Sequence, residues 1–291
     1  MQLKAIVKSV SCIILLLVPS MIIISGILYT KKPIKESTSD LYISIYGKKI
    51  RYQVHSGGSN AVILLHGFGS SLDQWQNIMP KLMKYKIISL DLLGFGGSDR
   101  SANSYDLESQ RRYIESFMQK LKIKRAVLIG TSMGASIAAW TASKSNSQKI
   151  VGLVLIAPSA YPGSLVYPFP LGWIYKPGLS NRIASFFVNN SFYKRLFPYS
   201  VAPQGISVTS SYDNKFAAAL KDILQPTLLI WSPGDTKVDF EYSFAYRERI
   251  RNLEFIEIPA SVGHSVTRKY QNELIGIINN YLDKIYPSEE K

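Results

Sequence analysis

The stretch Gly130-Thr131-Ser132-Met133-Gly134 sets a serine between two glycines. It follows an apolar run, Arg125-Ala126-Val127-Leu128-Ile129, that reads as a strand. It precedes Ala135-Ser136-Ile137-Ala138-Ala139-Trp140, which reads as a helix. A chain that turns from strand to helix this sharply strains the residue at the apex. Side chains two positions to either side would collide, so both are glycine. The serine oxygen is then held clear of the sheet at the start of a helix, where the dipole and free N–H groups favour negative charge. The chemistry offered is nucleophilic attack by Ser132 with an anion stabilised beside it. A glycine turn with an incidental serine has the same five letters, and the surrounding elements decide between them.

Those elements alternate. Leu41-Tyr42-Ile43-Ser44-Ile45 and Ile50-Arg51-Tyr52-Gln53-Val54 alternate apolar and polar around Gly47-Lys48, as a hairpin entering a sheet does. His55 ends that hairpin as an exposed loop residue. Ala61-Val62-Ile63-Leu64-Leu65 is a fully apolar strand of the buried parallel kind. It runs into His66-Gly67-Phe68-Gly69-Ser70, a loop that lets backbone N–H groups turn inward. There the Phe68 N–H serves as one oxyanion donor and the Met133 N–H as the other, unless the glycines only make the turn. Trp75, Ile78, Met79 and Leu82 repeat at helical spacing and belong to the core. Ile87-Ile88-Ser89-Leu90 is the next strand, and Asp91 to Asp99 a glycine-rich loop. No G-x-G-x-x-G opens a helix there and no Walker lysine follows, which argues against phosphate binding. Asp106 caps a helix with Ile114, Phe117, Met118 and Leu121 inward. Further strands follow at residues 151–156, 226–231 and 253–258. A final amphipathic helix carries Leu274, Ile277, Ile278 and Leu282.

Residues 161–225 break the rhythm. They lack clean alternation, are rich in Tyr, Phe, Pro and Trp, and are too long for an ordinary connection. They read as a cap inserted over the site. Ile183, Phe186, Phe187 and Phe192 are available to line an apolar acyl pocket, or to pack the cap onto the body.

Composition excludes several functions. The single cysteine, Cys12, permits neither an intrachain disulfide nor a cysteine metal site. Three histidines, His55, His66 and His264, lack metal-motif neighbours, so no metal and no cofactor is expected. The net charge is +14, yet no nucleic-acid module or arginine-rich face accompanies it. Attraction to anionic lipid headgroups accounts for the charge, as does a basic proteome with no special partner. Residues 9–30 carry no charge and are bracketed by Lys8 and Lys31-Lys32. As a helix they span roughly 33 Å, enough for a hydrocarbon core. The run is longer than a cleaved signal peptide's and lacks a good cleavage site, which favours an uncleaved single-pass anchor. A short N-terminus normally stays inside, so the body is expected outside the cytoplasm.

Ser132, Asp235 and His264 each lie just past the C-terminal end of an expected strand, where ligands bind in an open α/β sheet. Their chain order is Ser, Asp, His. With His66 to Ser70, Asp91 to Asp99, Gly130 to Gly134, Trp231 to Asp235 and Gly263-His264, residues 41–285 resemble the α/β-hydrolase family. The apolar N-terminus makes the chain most similar to its membrane-anchored monoacylglycerol-lipase and esterase branch. The resemblance implies an α/β fold: a mostly parallel central sheet with helices on both faces and an inserted cap, here behind one transmembrane helix. Its divisions are a short segment 1–8, an anchor 9–30, a linker 31–40, a core 41–160 and 226–285, a cap 161–225, and a tail 286–291. It also implies roles. Ser132 is the nucleophile, His264 its base, Asp235 the orienting acid, and Phe68 and Met133 the oxyanion donors. Asp239, in the same loop, competes with Asp235 for the acid's part. A serine at the elbow argues against haloalkane dehalogenases and epoxide hydrolases, whose nucleophile is aspartate. The cap looks short, and a Glu-x-Pro often found after the histidine is missing.

The expected activity is that of a membrane-tethered serine hydrolase cleaving carboxylic esters, small-molecule or lipid, acylglycerols among them. The same triad in a carbon–carbon hydrolase, an aminopeptidase or a perhydrolase is the alternative, and a catalytically idle fold used for binding is another.

Overall fold

A computed structural model describes residues 20, 23–24, 26–27, 30–31, 33–34, 37–56, 58–82, 84–100, 104–144, 149–166, 182, 185–186 and 188–287. Eight strands form one sheet in the order β1-β2-β4-β3-β5-β6-β7-β8. They are β1 Leu41–Ile45, β2 Lys48–Ser56, β3 Ala61–Leu65, β4 Lys86–Leu90, β5 Ala126–Thr131, β6 Ile150–Ile156, β7 Thr227–Trp231 and β8 Leu253–Glu257. β1 pairs antiparallel with β2, and β2 antiparallel with β4. Every pairing from β4 through β3 to β8 is parallel.

The apolar strands are continuous runs because both faces of the sheet are covered. Successive side chains go to opposite sides. Ile63, Leu65, Leu128 and Leu155 join one buried layer, with Phe117 and Met118 of helix α1, Leu107–Lys120. Val62, Leu64, Ile129 and Ile156 join the other, with Leu274, Ile278 and Leu282 of the C-terminal helix Gln271–Ile285. α1 starts as expected, with the Asp106 carboxylate accepting from the Ser109 N–H at 2.7 Å.

Two readings change. Trp75, Ile78, Met79 and Leu82 are all buried, but Trp75 and Met79 sit on two short 3₁₀ turns, Leu72–Trp75 and Met79–Lys81, with Ile78 and Leu82 capping the second, and not on one helix. Pro80 explains the break, since it cannot donate a backbone hydrogen bond in a helix interior. His55 is exposed, but it pairs with Ile87 within β2 instead of ending in a loop. Most of the apolar run 9–30 lies outside the described residues. Among the described residues no helix is long and apolar enough to cross a membrane.

Between β6 and β7 the described residues include several short helices joined by turns and coil. Here α2 is Met133–Lys144, which follows β5 directly, and α3 Ser191–Leu196, α4 Ala202–Thr209 and α5 Asn214–Ala219 occupy the connection. α6 Tyr242–Arg249, α7 Val266–Lys269 and α8 Gln271–Ile285 complete the chain.

Candidate active site

Ser132 is the one residue between β5 and α2. Its φ is +52°, a left-handed conformation that a side chain adopts at a cost. The surroundings hold it there. Its N–H donates to the Ile156 carbonyl at 2.8 Å, and its carbonyl accepts from the Ser136 N–H at 3.1 Å. The flanking glycines are steric requirements. A Cβ on Gly130 would collide with the backbone of Gly134 and Ala135, and one on Gly134 with the Leu65 carbonyl on the neighbouring strand. Met133 opens α2 and is buried. Its N–H is among the four at a helix start that have no partner one turn back.

His264 and Asp235 come from the loops after β8 and β7. His264 Nδ1 lies 2.7 Å from Asp235 Oδ2. A carboxylate only accepts, so Nδ1 carries the proton and Nε2 keeps its lone pair. The Asp235 carboxyl is shut off from solvent. Its second oxygen accepts from the Lys237 N–H at 2.8 Å and the Val238 N–H at 3.0 Å. These three contacts take up most of the roughly four a carboxylate can accept, so this one is fixed in place. Asp239 is engaged elsewhere: its Oδ1 accepts from the Glu241 N–H at 3.0 Å, at the entry to α6. The pairing with His264 is therefore made by Asp235.

The loop after β3 is built on His66, which is fully buried. The Leu92 N–H donates to its Nε2 at 3.1 Å, so Nδ1 is protonated and donates to the Gly67 carbonyl at 2.8 Å. Burial pushes its pKa down and keeps the ring neutral. Phe68 stands edge-on to Phe95, with ring centres 5.8 Å apart.

Ser132, His264 and Phe68 line one cavity of about 500 Å³. Leu165, Val208 and Val238 supply much of its apolar wall. Of the four aromatic and aliphatic residues expected in the acyl pocket, Phe186 and Phe192 are 74% and 76% exposed and line none of this cavity. Sequence composition alone cannot separate inward-facing from outward-facing aromatics. Ile183 and Phe187 lie outside the described side chains.

Three positioning residues carry no signal in the sequence. Gln74 accepts from the Gly67 N–H at 3.1 Å and donates to Thr267 Oγ1 at 3.1 Å. It ties the loop after β3 to the segment after His264. Ser232 donates to the Pro259 carbonyl at 2.9 Å and accepts from the Gly263 N–H at 3.1 Å, joining the acid and base loops. Tyr212 is buried against Ser159, with their hydroxyls 3.0 Å apart, and both line the cavity. Gln74 and Ser232 bond across 193 and 27 to 31 residues of chain, and spacing carries no mark of such partners. Among the described residues no cluster of His, Cys, Asp and Glu could hold a metal ion.

Comparison with known proteins follows the same lines. A family model described as "alpha/beta hydrolase fold" matches residues 60–194. A monoacylglycerol lipase of Xenopus laevis is 25% identical over 272 residues, covering 80% of this chain and 78% of its own. A 2-hydroxy-6-oxo-2,4-heptadienoate hydrolase of Pseudomonas putida is 22% identical, covering 78% and 90%. The acetyltransferase component of an acetoin-cleaving system from Cupriavidus necator is 28% identical, but this chain spans only 36% of its length. Among solved structures, a meta-cleavage product hydrolase from Pseudomonas fluorescens superposes with a TM-score of 0.65 at 22% identity, covering 88% of this chain and 99% of that one. A bacterial membrane phospholipase A superposes with a TM-score of 0.65 at 20% identity and covers 98% of both. The strand order, the strained serine turn and these likenesses agree: the chain has the α/β-hydrolase fold and is similar to that family over the matched residues.

Proposed function

We propose that the protein is a serine hydrolase that cleaves carboxylic esters through an acyl-enzyme on Ser132. The observation that carries this is the 2.7 Å contact between His264 Nδ1 and Asp235, in the same cavity wall as Ser132. With Nδ1 protonated, Nε2 is the free base. It takes the Ser132 proton as the oxygen attacks the ester carbonyl, and Asp235 stabilises the imidazolium that forms. The tetrahedral oxyanion is held by the Phe68 and Met133 N–H groups, worth a few kcal/mol per donor. His264 then gives its proton to the departing alcohol. Water, activated by the same base, releases the acid.

The apolar wall beside Ser132 supports an acyl chain as the group transferred. The relatives named as monoacylglycerol lipases support an ester bond. An aminopeptidase would need an acid to hold the substrate amine, and none of the described lining residues is acidic. The apolar run at residues 9–30 supports a single-pass anchor.

A fluorophosphonate probe tests the nucleophile. The wild type is expected to label, and Ser132→Ala to lose all labelling together with at least about a thousandfold of p-nitrophenyl butyrate turnover. His264→Ala is expected to label poorly, because the serine loses its base. Labelling of folded Ser132→Ala at the wild-type rate would move the nucleophile elsewhere and end the proposal.

A further inference from the structure

The cavity that holds Ser132 is lined by three cations, Lys31, Lys237 and Arg268, and by no carboxylate among the described residues. The one acid at the site, Asp235, is solvent-excluded and bound to His264. Each cation reaches the cavity from a different part of the chain, and the backbone fixes each one. Lys31 donates its N–H to the Tyr199 carbonyl at 3.0 Å. Its side chain lies over the loop after β3, where a Cβ on Gly69 would be 3.3 Å from Lys31 Nζ. Lys237 donates its N–H to Asp235 itself at 2.8 Å. Arg268 lies in α7, four residues past His264, with its N–H on the Ser265 carbonyl at 3.1 Å. All three side chains are exposed at the rim. None of them is ion-paired among the described residues, although shorter-range partners hold Arg51, Arg111 and Arg112 elsewhere.

Resting on the serine-hydrolase reading, we infer that the substrate is an ester bearing an anionic group, a phosphate or a carboxylate, which the three cations receive while the acyl chain takes the apolar wall. Charges of one sign around a cavity with low-dielectric walls focus the field into it, concentrate an oppositely charged substrate and repel a cationic one. The apolar lining side chains, Phe68, Leu165, Val208 and Val238, have nothing to offer an ion. The cavity is therefore amphiphilic, charged at the mouth and apolar within. The three side chains are long and flexible, so they hold the charge without fixing one geometry, which suits either a phosphate or a carboxylate.

The test uses short-chain esters that stay monomeric, so that binding to a lipid surface plays no part. Hydrolysis of 1-butyrylglycerol is compared with that of 1-butyrylglycerol 3-phosphate and of O-butyrylglycerate, by the full chain in detergent. At least one of the two anionic esters is expected to exceed the neutral one in kcat/KM by about tenfold or more at low salt. The larger of the two ratios says which anion the site takes. That ratio should fall towards one in about 0.5 M NaCl, and in Lys31→Gln/Lys237→Gln/Arg268→Gln. A wild-type ratio of one or less for both anions, or one that the triple variant leaves untouched, overturns the inference and leaves the serine-hydrolase reading standing. Calorimetric binding of the same three esters to Ser132→Ala reads the preference without turnover. A wild type that hydrolyses none of them overturns the serine-hydrolase reading instead, and the binding data then decide the anion preference alone: equal affinities for the neutral and charged esters would end it.

Discussion

Asp235 and Asp239 lie four residues apart in one loop and differ in everything their carboxylates touch. Asp235 accepts from His264 and from two backbone N–H groups with its carboxyl out of solvent, while Asp239 accepts from the Glu241 N–H just before α6. Asp235→Asn keeps the shape but can no longer hold Nδ1 protonated, so the wrong histidine tautomer faces Ser132. A loss of about 10³ to 10⁴ in kcat is expected. Asp239→Asn removes a charge from a turn and should keep kcat within about twofold, with at most about 1 kcal/mol off stability. Steady-state kinetics of the two variants on one soluble ester decide the matter, and equal losses would undo the assignment. At this scale the sequence was most legible where geometry is local. Gly130 and Gly134 announce a strained turn because their spacing is set by the turn itself. The choice between two aspartates was not legible, because it rests on which one the loop after β8 approaches. Nor was the exposure of Phe186 and Phe192, since an aromatic side chain looks the same in a sequence whether it lines a cavity or faces water.

The strands show the same division one level up. Buried parallel strands were readable as unbroken apolar runs, and their order along the chain as an α/β alternation. Arg51 was not: within β2 it reads as the polar face of an alternating strand. In the fold it is 1% exposed. Its guanidinium pairs with Asp40 at 2.9 Å, Asp73 at 3.2 Å and Asp91 at 3.2 Å. Asp91 in turn accepts from the Leu72 N–H at 2.6 Å and the Gly97 N–H at 2.7 Å. One buried cation thus pins the antiparallel edge of the sheet to the loops after β3 and β4, next to the site. Arg51→Met keeps most of the volume but strands two carboxylates away from water. Removing one partner of a buried ion pair costs about 3 to 5 kcal/mol, so a fall in melting temperature of about 10 °C or more is expected. The pH dependence has a definite sign. Burial raises the Asp40 pKa, but the hydrogen bond from Arg51, with those from Ser37 and Gln53, outweighs it and the net shift is downward. A carboxyl held below its unfolded value stabilises the fold above that value, and the gain is lost as pH falls through the lowered one. The wild type should therefore lose part of its margin on acidification below the ordinary carboxylate range, and Arg51→Met should lose less. Thermal melts of both proteins from neutral pH down to about pH 3 test this. A variant that melts with the wild type at neutral pH would show that the cluster holds nothing together.

At the scale of the whole chain the N-terminal segment has two parts with different physics. The apolar run at residues 9–30 reads as an anchor from its length and lack of charge alone. Its end does something the sequence does not announce. Thr30 forms an antiparallel bridge with Ser200, Lys31 donates to Tyr199, and a Cβ on Gly26 would press on the Phe197 ring at 2.8 Å. The last turn of the apolar run is thus stitched to the connection between β6 and β7, beside the cavity mouth. Two deletions separate these parts. Removing residues 1–19 takes away most of the apolar length and leaves Gly26, Thr30 and Lys31; removing 1–32 takes the stitch as well. The full chain is expected to float with phosphatidylcholine vesicles in a density gradient even in high salt, because burying about 20 apolar residues in hydrocarbon does not depend on charge. Both truncated proteins should stay at the bottom. Their melting temperatures should differ, with the longer deletion lower by a few degrees, since it loses the bridge, its backbone hydrogen bond and the packing of Gly26 on Phe197. A full chain that stays out of the vesicles removes the anchor. Equal melting temperatures remove the stitch, and with it the reason Lys31 sits where a substrate's charge would meet it.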